Sequence, residues 1–582
     1  MGRIREMGFT MKRIFMQLAA VVLAVAVAVP MAAPARAARN DELTLRVGLA
    51  YGSSALVSAN LENNTGYGSG YRFGYYDSDL DFVELGRTSS SVTKLTMVKA
   101  QNIWVSGTSY STSDNGGELI GCYHVQMPGS YNSYNAAYSE ASDYSDGFVA
   151  WIDGAYQVRV GAYETKAEAE SRASSLGGTV VGTSSYAVNV TQTGKAKILF
   201  QFDGGSSTAL GIMPDVTGAG ETRTWFKGYR YPGGFRYERV NGGNLTVVNI
   251  VDMEDYLIGV VPYEMSDSWP LEALKAQAVC ARSYAYNSLN HHSSYHFDIC
   301  NGTDCQVYYG YGGGSTYNSN AARAVEETAG VYAKYNGKVI ETFYSASHGG
   351  ASESVYNVWG SSLSTYPYLC GVKDPYEADT ASMNPYSSWT VSYTTSTLTQ
   401  RLQSKGYGTG TSVASLDLTY SDLGNVIAVK VNYANGQSNT FKPTNMRSTF
   451  GISSIRFQVN SSGSGSGGTS DGSLPVNGSG SLPEQDSYYV ISGSGTVGKT
   501  DRGDLYAISG SGSVDSVTSS SGGGSSVTEG NVVHVTGSSY VFEGSGNGHQ
   551  LGMSQWGAYA MAKRGFTYDE IITFYFPGTT VG

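Results

Sequence analysis

One carboxylate in this chain combines a setting and a position that suit acid–base chemistry. Glu264 lies in the run Val260-Val261-Pro262-Tyr263-Glu264-Met265, just ahead of a helix start. A carboxyl among apolar neighbours keeps its proton longer, because desolvation penalises the charged form. A group that still holds a proton near neutral pH can protonate a glycosidic oxygen. The residue types alone also allow a cap or surface carboxylate that merely serves the helix.

A second cluster has metal-ligand character. His296, Cys300 and Cys305 fall within Tyr295-His296-Phe297-Asp298-Ile299-Cys300-Asn301-Gly302-Thr303-Asp304-Cys305. Short-spaced Cys and His suit structural zinc, which takes four ligands, and His291, His292 or Asp304 could be the fourth. A Cys300–Cys305 disulfide is the rival in an exported protein. The five cysteines, Cys122, Cys280, Cys300, Cys305 and Cys370, are an odd number, which leaves a thiol over or signals a metal. Two further stretches carry polar residues among glycines. One is Tyr344-Ser345-Ala346-Ser347-His348-Gly349-Gly350 and the other Gly548-His549-Gln550-Leu551-Gly552. His348 beside Ser345 and Ser347 raises serine-hydrolase chemistry, but no G-x-S-x-G elbow accompanies it. His549 could bind a ligand or pin its turn.

The elements that must position these groups can be read around them. Pro262 biases Val261 away from helix. Ser266, Asp267 and Ser268 are candidate caps, with Pro270 near the first turn and Glu272 behind it. Leu271, Leu274, Ala278, Ala281 and Ala285 recur at helical spacing, so an amphipathic helix follows Glu264. Leu43 to Val47 alternates apolar and polar as a half-buried strand does, and 38–145 reads as β-rich. Tyr156 to Tyr163 is an alternating strand. Thr165 to Ala173 is a short helix with Thr165 and Glu168 spaced as a capping box. Residues 461–530 are dominated by Ser and Gly and read as a flexible loop or linker, with Tyr488 to Ile491 a candidate hairpin arm.

The whole chain has 582 residues, enough for two to four domains, with 41% hydrophobic residues and 45 Tyr. Tyrosine suits sugar faces and β-rich cores alike. A net charge of −11 without a basic run beyond the N-terminus argues against nucleic acid. Arg3, Arg5, Lys12 and Arg13, the apolar run Leu18 to Val29 and Ala35-Arg36-Ala37 read as a secretory signal over 1–37, with an uncleaved anchor as the alternative.

Two resemblances sharpen these expectations. The string EDYLIGVVPYEMSDSWPLEALKAQAVCARSYA, with the later Gly548 to Ala558 and Tyr575-Phe576-Pro577-Gly578, resembles the SpoIID/LytB domain signature. It covers roughly 205–582, with 205–460 as the main part, 461–530 as an internal loop and 531–582 as the C-terminal part. The usual Gly-His-Gly-Val-Gly departs here at Gln550, which puts backbone freedom there in question. The resemblance implies an exported lytic transglycosylase, acting in sporulation or cell-wall remodelling. It would cleave the MurNAc–GlcNAc bond of peptidoglycan glycan strands and leave 1,6-anhydroMurNAc. It makes Glu264 the catalytic acid/base. Arg282, Gln306, Tyr308, Ser347, Gly349, Gly350 and His549 become candidate substrate contacts, and structural zinc becomes possible at His296, Cys300 and Cys305. QVRVGAYETKAEAE resembles a SPOR domain over 146–200, which implies binding to glycan lacking stem peptides. The expected class is therefore α+β: a β-rich SpoIID/LytB domain plus a small SPOR-like α+β domain. The rivals are a non-catalytic LytB-like enhancer of a wall amidase, an ordinary muramidase, and an adhesive wall protein.

Overall fold

A computed structural model describes residues 43–216, 221–312, 319–462 and 531–582, with strand backbone alone at intervals within 474–529. The expected signal at 1–37 and most of the Ser/Gly segment lie outside the described residues. The fold mixes helices with strands. No helix among the described residues is long and apolar enough to cross a membrane.

The first sheet has seven strands. Their order is Ile299–Cys300, Thr44–Ala50, Thr246–Asp252, Gly234–Glu238, Leu210–Pro214, Tyr71–Tyr76 and Phe82–Arg87. Leu45 and Val47 are buried while Thr44 and Arg46 are half-exposed, so the alternation read from the sequence sets the facing of this strand. This sheet corrects the expected boundary between 38–145 and 205–460. Thr44–Ala50 pairs antiparallel with Thr246–Asp252, so the two regions share one sheet and one core.

The second sheet has ten strands, and its first four form a unit of their own. Tyr123–Gln126, helix Tyr134–Ala141, Gly147–Ile152, Ala155–Tyr163, helix Lys166–Leu176 and Thr179–Gly182 run β-α-β-β-α-β in chain order. In space the strands lie fourth, first, third, second, the arrangement of a split βαβ. The unit therefore starts about twenty residues earlier than 146–200 and ends before 200. Thr165 caps its second helix as expected: its hydroxyl accepts from the Glu168 N–H at 3.3 Å, and Glu168 accepts from the Thr165 N–H at 3.0 Å. Gly147–Ile152 then pairs with Ile198–Asp203, and the sheet continues without a break.

The strand Thr246–Asp252 delivers the chain to the central helices. The Asp252 carboxylate accepts from the N–H groups of Glu254 and Asp255, which starts helix Met253–Ile258. Gly259 follows, where a Cβ would lie 2.6 Å from the Tyr308 ring and 2.9 Å from Gly310 backbone. One turn follows, Val261–Glu264, with Pro262 as its second residue, so Val261 is helical despite preceding a proline. The amphipathic helix is Leu271–Asn287, starting directly after Pro270 with no side-chain cap. Asp267, expected as its cap, instead accepts from the Ala321 N–H at 2.7 Å at the start of helix Ser319–Glu327.

The C-terminal part folds back into this body. Ser539–Gly544 lies between Trp389–Thr394 and Phe457–Ser462, antiparallel to both. The two chain arms flanking the Ser/Gly segment are thus sheet neighbours. Within that segment Ser487–Ile491 pairs with Val497–Asp501, the hairpin expected at Tyr488–Ile491.

Candidate functional site

The Glu264 carboxyl sits at the end of its single turn, half-buried, within a cradle of donors. The Val307 N–H donates to Oε1 at 3.1 Å, and the Gln555 carboxamide donates to Oε2 at 3.3 Å. The Tyr344 hydroxyl also bonds the carboxylate. Burial pushes the Glu264 pKa above its ordinary value, and these three donors hold it back. All three of those hydrogen-bond partners are neutral donors. The phenol of Tyr344 is held well above its ordinary pKa, chiefly by burial and then by the Glu264 charge, so it remains a donor.

Each wall of the cradle is fixed from elsewhere in the chain. Gln306 donates to the Tyr344 hydroxyl at 2.9 Å and accepts from the Tyr256 hydroxyl at 3.0 Å. Tyr344–Ser345 pairs parallel with Met553–Ser554. Ser554 then caps helix Gln555–Lys563 by accepting from the Gly557 N–H at 3.2 Å, which places Gln555 at the first helical position, facing Glu264. Aromatic residues adjoin the cradle residues along the chain, Tyr263 before Glu264 and Trp556 after Gln555. Tyr263, which is exposed, meets Tyr309 edge-on at 5.1 Å, and Tyr309 stacks on Tyr229 at 4.5 Å. Trp269 lies 4.7 Å from Trp556 and 5.1 Å from Tyr559.

Several expected substrate contacts are placed differently. Arg282 is fully buried and bonds Glu254 through two nitrogens at 2.9 and 2.6 Å, and it also donates to the carbonyls of Val331 and Val325. It ties three helical segments together and does not face a ligand. Tyr308 is fully buried and donates to Asn249 at 2.8 Å, so it is a core residue. Gln306 is buried and supports the cradle from behind. Ser347 is fully buried and bonds Glu377. Gly349 has φ +68° and its N–H donates to Glu377 at 3.2 Å; a Cβ there would lie 2.3 Å from the Ser545 hydroxyl oxygen. Gly350 accepts from the Asp374 N–H at 2.9 Å. Sequence reasoning missed Glu377, the hub of this loop, which also accepts from His348 N–H, Asn384 and Ser554. Most of its partners, Ser347, His348, Gly349 and Ser554, lie far along the chain, and no local pattern marked it.

The serine-hydrolase alternative fails on geometry. Neither ring nitrogen of His348 nor the Ser345 hydroxyl has a hydrogen-bond partner among the described residues. Burial lowers the His348 pKa to about 3, so the ring is neutral. His549 lines a cavity of about 470 Å³ together with Trp359 and Arg447.

The cysteine cluster gathers His292, not His296. The ligand atoms of His292, Cys300, Asp304 and Cys305 lie within 4.8 Å of one another. His296 adopts a left-handed backbone, φ +59°, and its ring turns to Glu238 at 2.5 Å. All five cysteines carry free thiols. Two thiols, an imidazole and a carboxylate make a four-ligand set of the kind that holds zinc. The Cys300 pKa falls to about 5, chiefly because the Cys305 thiol donates to it, so a thiolate is accessible.

Comparison with known proteins places this site in a family context. Residues 241–335, which include Glu264, match the family model described as Stage II sporulation protein. An uncharacterized protein of Brachyspira hyodysenteriae is 29% identical over 364 residues, 62% of this chain and 75% of the relative. The amidase enhancer of Bacillus subtilis is 34% identical over 330 residues, 56% of this chain and 40% of the relative. Stage II sporulation protein D of Bacillus subtilis is 26% identical over 352 residues, 58% of this chain and 76% of the relative.

Proposed function

Because the chain belongs to the SpoIID/LytB family through the domain at 241–335, we propose that it is an exported enzyme of the bacterial cell wall. Its substrate is the glycan strand of peptidoglycan freed of stem peptides, and it cuts that strand as a lytic transglycosylase. The observation that carries this reading is the cradle of Glu264. One carboxyl, its pKa raised by burial, is held by three neutral donors. Hydrolysis usually divides acid and base roles between two carboxylates. A single carboxyl is enough when the nucleophile comes from the sugar itself. Protonated Glu264 gives its proton to the glycosidic oxygen as the C1–O bond breaks. The muramic C6 hydroxyl then attacks C1, and Glu264 takes that hydroxyl's proton. The C1–O6 bond replaces the one lost, no water enters, and the acid is restored. Val307, Gln555 and Tyr344 stabilise the carboxylate that exists between the two transfers. The aromatic rings of Tyr263 and Trp556, chain neighbours of Glu264 and Gln555, would pack against sugar rings.

The β-α-β-β-α-β unit at 123–182 would be the second glycan-binding module, raising the local concentration of the strand. His292, Cys300, Asp304 and Cys305 would hold a structural zinc that braces the loop leading to Val307. A second reading has a specific observation behind it: the amidase enhancer is 34% identical, with 40% of its length covered. In that reading the chain binds glycan and assists an amidase without cutting. Mass analysis of purified peptide-free glycan separates the two. Anhydromuramic ends with the wild type and none with Glu264→Gln support cleavage. No such ends with either protein, together with a faster amidase, would replace it by the second reading.

A further inference from the structure

The cavity beside the Glu264 cradle carries a positive charge with no acid to answer it. Its volume of about 470 Å³ falls in the range of small-ligand sites. Helix Pro443–Phe450 contributes Thr444, Arg447 and Ser448 to its wall, and Trp359, His549 and aliphatic side chains form the rest. Among the described residues no carboxylate lines it. The Nε of Arg447 is buried and has no hydrogen-bond partner among the described residues. Among those residues this half-buried guanidinium lacks a counter-charge that would offset its partial desolvation.

The rest of the lining defines what could supply the counter-charge. His549 adds no second cation, since burial and then the nearby Arg447 lower its pKa to about 4. Its Nδ1 accepts from the Leu551 N–H at 3.0 Å, and the ring also bonds the Tyr344 backbone. The cavity therefore offers one positive charge. The Trp359 indole is 41% exposed and lies 5.8 Å from the His549 ring, so a flat apolar face stands near that charge. An apolar face beside a planar cation suits a sugar ring that bears an acid. Tyr344 links the cavity to the chemistry, because its backbone meets His549 and its hydroxyl meets Glu264.

We propose that this cavity is a subsite for a carboxylated sugar, in which Arg447 pairs with the lactyl carboxylate that a muramic acid residue exposes once its stem peptide is removed. In a peptide-bearing strand the same carbon is an amide, which carries no charge for Arg447 and continues into a chain that the cavity must accommodate. The subsite rests on the glycan-strand reading above and supplies the reason that peptide-free strands are taken.

The test uses the full chain with Glu264→Gln, so that binding is measured without turnover. Peptide-free glycan oligomers are titrated beside the same oligomers with the lactyl carboxyl capped as a methylamide. The free carboxylate is expected to bind about tenfold more tightly, the size of one charge-assisted contact, and the preference should shrink as salt is added. Adding Arg447→Gln should erase the preference by weakening the carboxylate ligand alone, and Arg447→Lys should restore part of it. Equal binding of the two ligands with Arg447 in place overturns the subsite, as does a preference that survives Arg447→Gln. The comparison of ligands needs no change at Arg447, so a folding defect there cannot disguise the result. Cleavage is read separately. Anhydromuramic ends without a carboxylate preference would remove the subsite alone, whereas the preference without such ends would keep the subsite and remove the cleavage.

Discussion

Replacing Arg282 by Ala separates an architectural role from a ligand-binding one. The guanidinium is fully buried, bonds both oxygens of Glu254, and satisfies the carbonyls of Val331 and Val325. Glu254 is itself buried, and its other recorded partner is the Gly330 N–H at 3.3 Å. Removing Arg282 therefore strands a carboxylate in the core, a loss of about 3–5 kcal/mol. That is a large part of the roughly 5–15 kcal/mol that holds a domain folded. For a body of more than 400 residues, whose unfolding entropy is about 2.1 cal/mol/K per residue, it corresponds to a drop of about 3–6 °C in the thermal midpoint. Calorimetry or circular dichroism on the purified chain reads this directly. Replacing Arg282 and Glu254 together by Met should recover much of the loss, because the stranded charge goes with its partner. Turnover measured well below the lowered midpoint should stay within about twofold of wild type, since a ΔΔG‡ of that size is under half a kcal/mol. A midpoint that moves by less than about 2 °C would refute the reasoning. So would lost turnover in a variant of unchanged stability, which would return Arg282 to the substrate.

Three further outcomes follow from the same geometry. The Glu264 pKa is higher folded than unfolded, so the native state binds the extra proton; stability should fall as pH rises from the ordinary carboxylate value through the raised one, and Glu264→Gln should flatten that slope in denaturation curves. Turnover should decline over the same rise in pH, because the proton donor is lost; a profile unchanged by pH there would contradict the acid role. At the cysteine cluster, metal analysis of purified protein should find about one zinc per chain, with His292→Ala losing it and His296→Ala keeping it; the reverse pattern would overturn the assignment. Gln550 has φ +61°, yet its side chain accepts from the Ile455 N–H and donates to the His348 carbonyl. Gln550→Gly relieves about 1 kcal/mol of backbone strain, but it loses two buried hydrogen bonds of roughly 1 kcal/mol each. The variant should therefore come out slightly less stable, and a clear gain in midpoint would count against that balance.

What the sequence made legible follows from how local each signal is. The Thr165–Glu168 box, the strand from Thr44 and the helix after Glu264 depend on neighbours within a few residues, and they appear where they were read. The apolar setting of Glu264 was likewise visible, because Val260, Val261 and Met265 are its own chain neighbours and all are buried. The start of the small α/β unit was missed because its first strand, Tyr123–Gln126, has only four residues and pairs with Ala155–Tyr163 and Thr179–Gly182 at a distance. His292 and His296 could not be ranked from spacing, since a left-handed residue at His296 decides which ring meets the sulfurs. Arg282, Tyr308 and Ser347 became ligand candidates through the SpoIID/LytB resemblance, but their partners Glu254, Asn249 and Glu377 show that they hold the fold.

The cradle joins residues that translation produces far apart. Glu264 and Gln555 are separated by 291 positions, and between them comes the whole Ser/Gly excursion. A chain emerging amino-terminus first presents its acid long before the carboxamide that faces it. A polypeptide stopped within the excursion would lack Ser554 and Gln555, so the cradle is completed only in finished molecules.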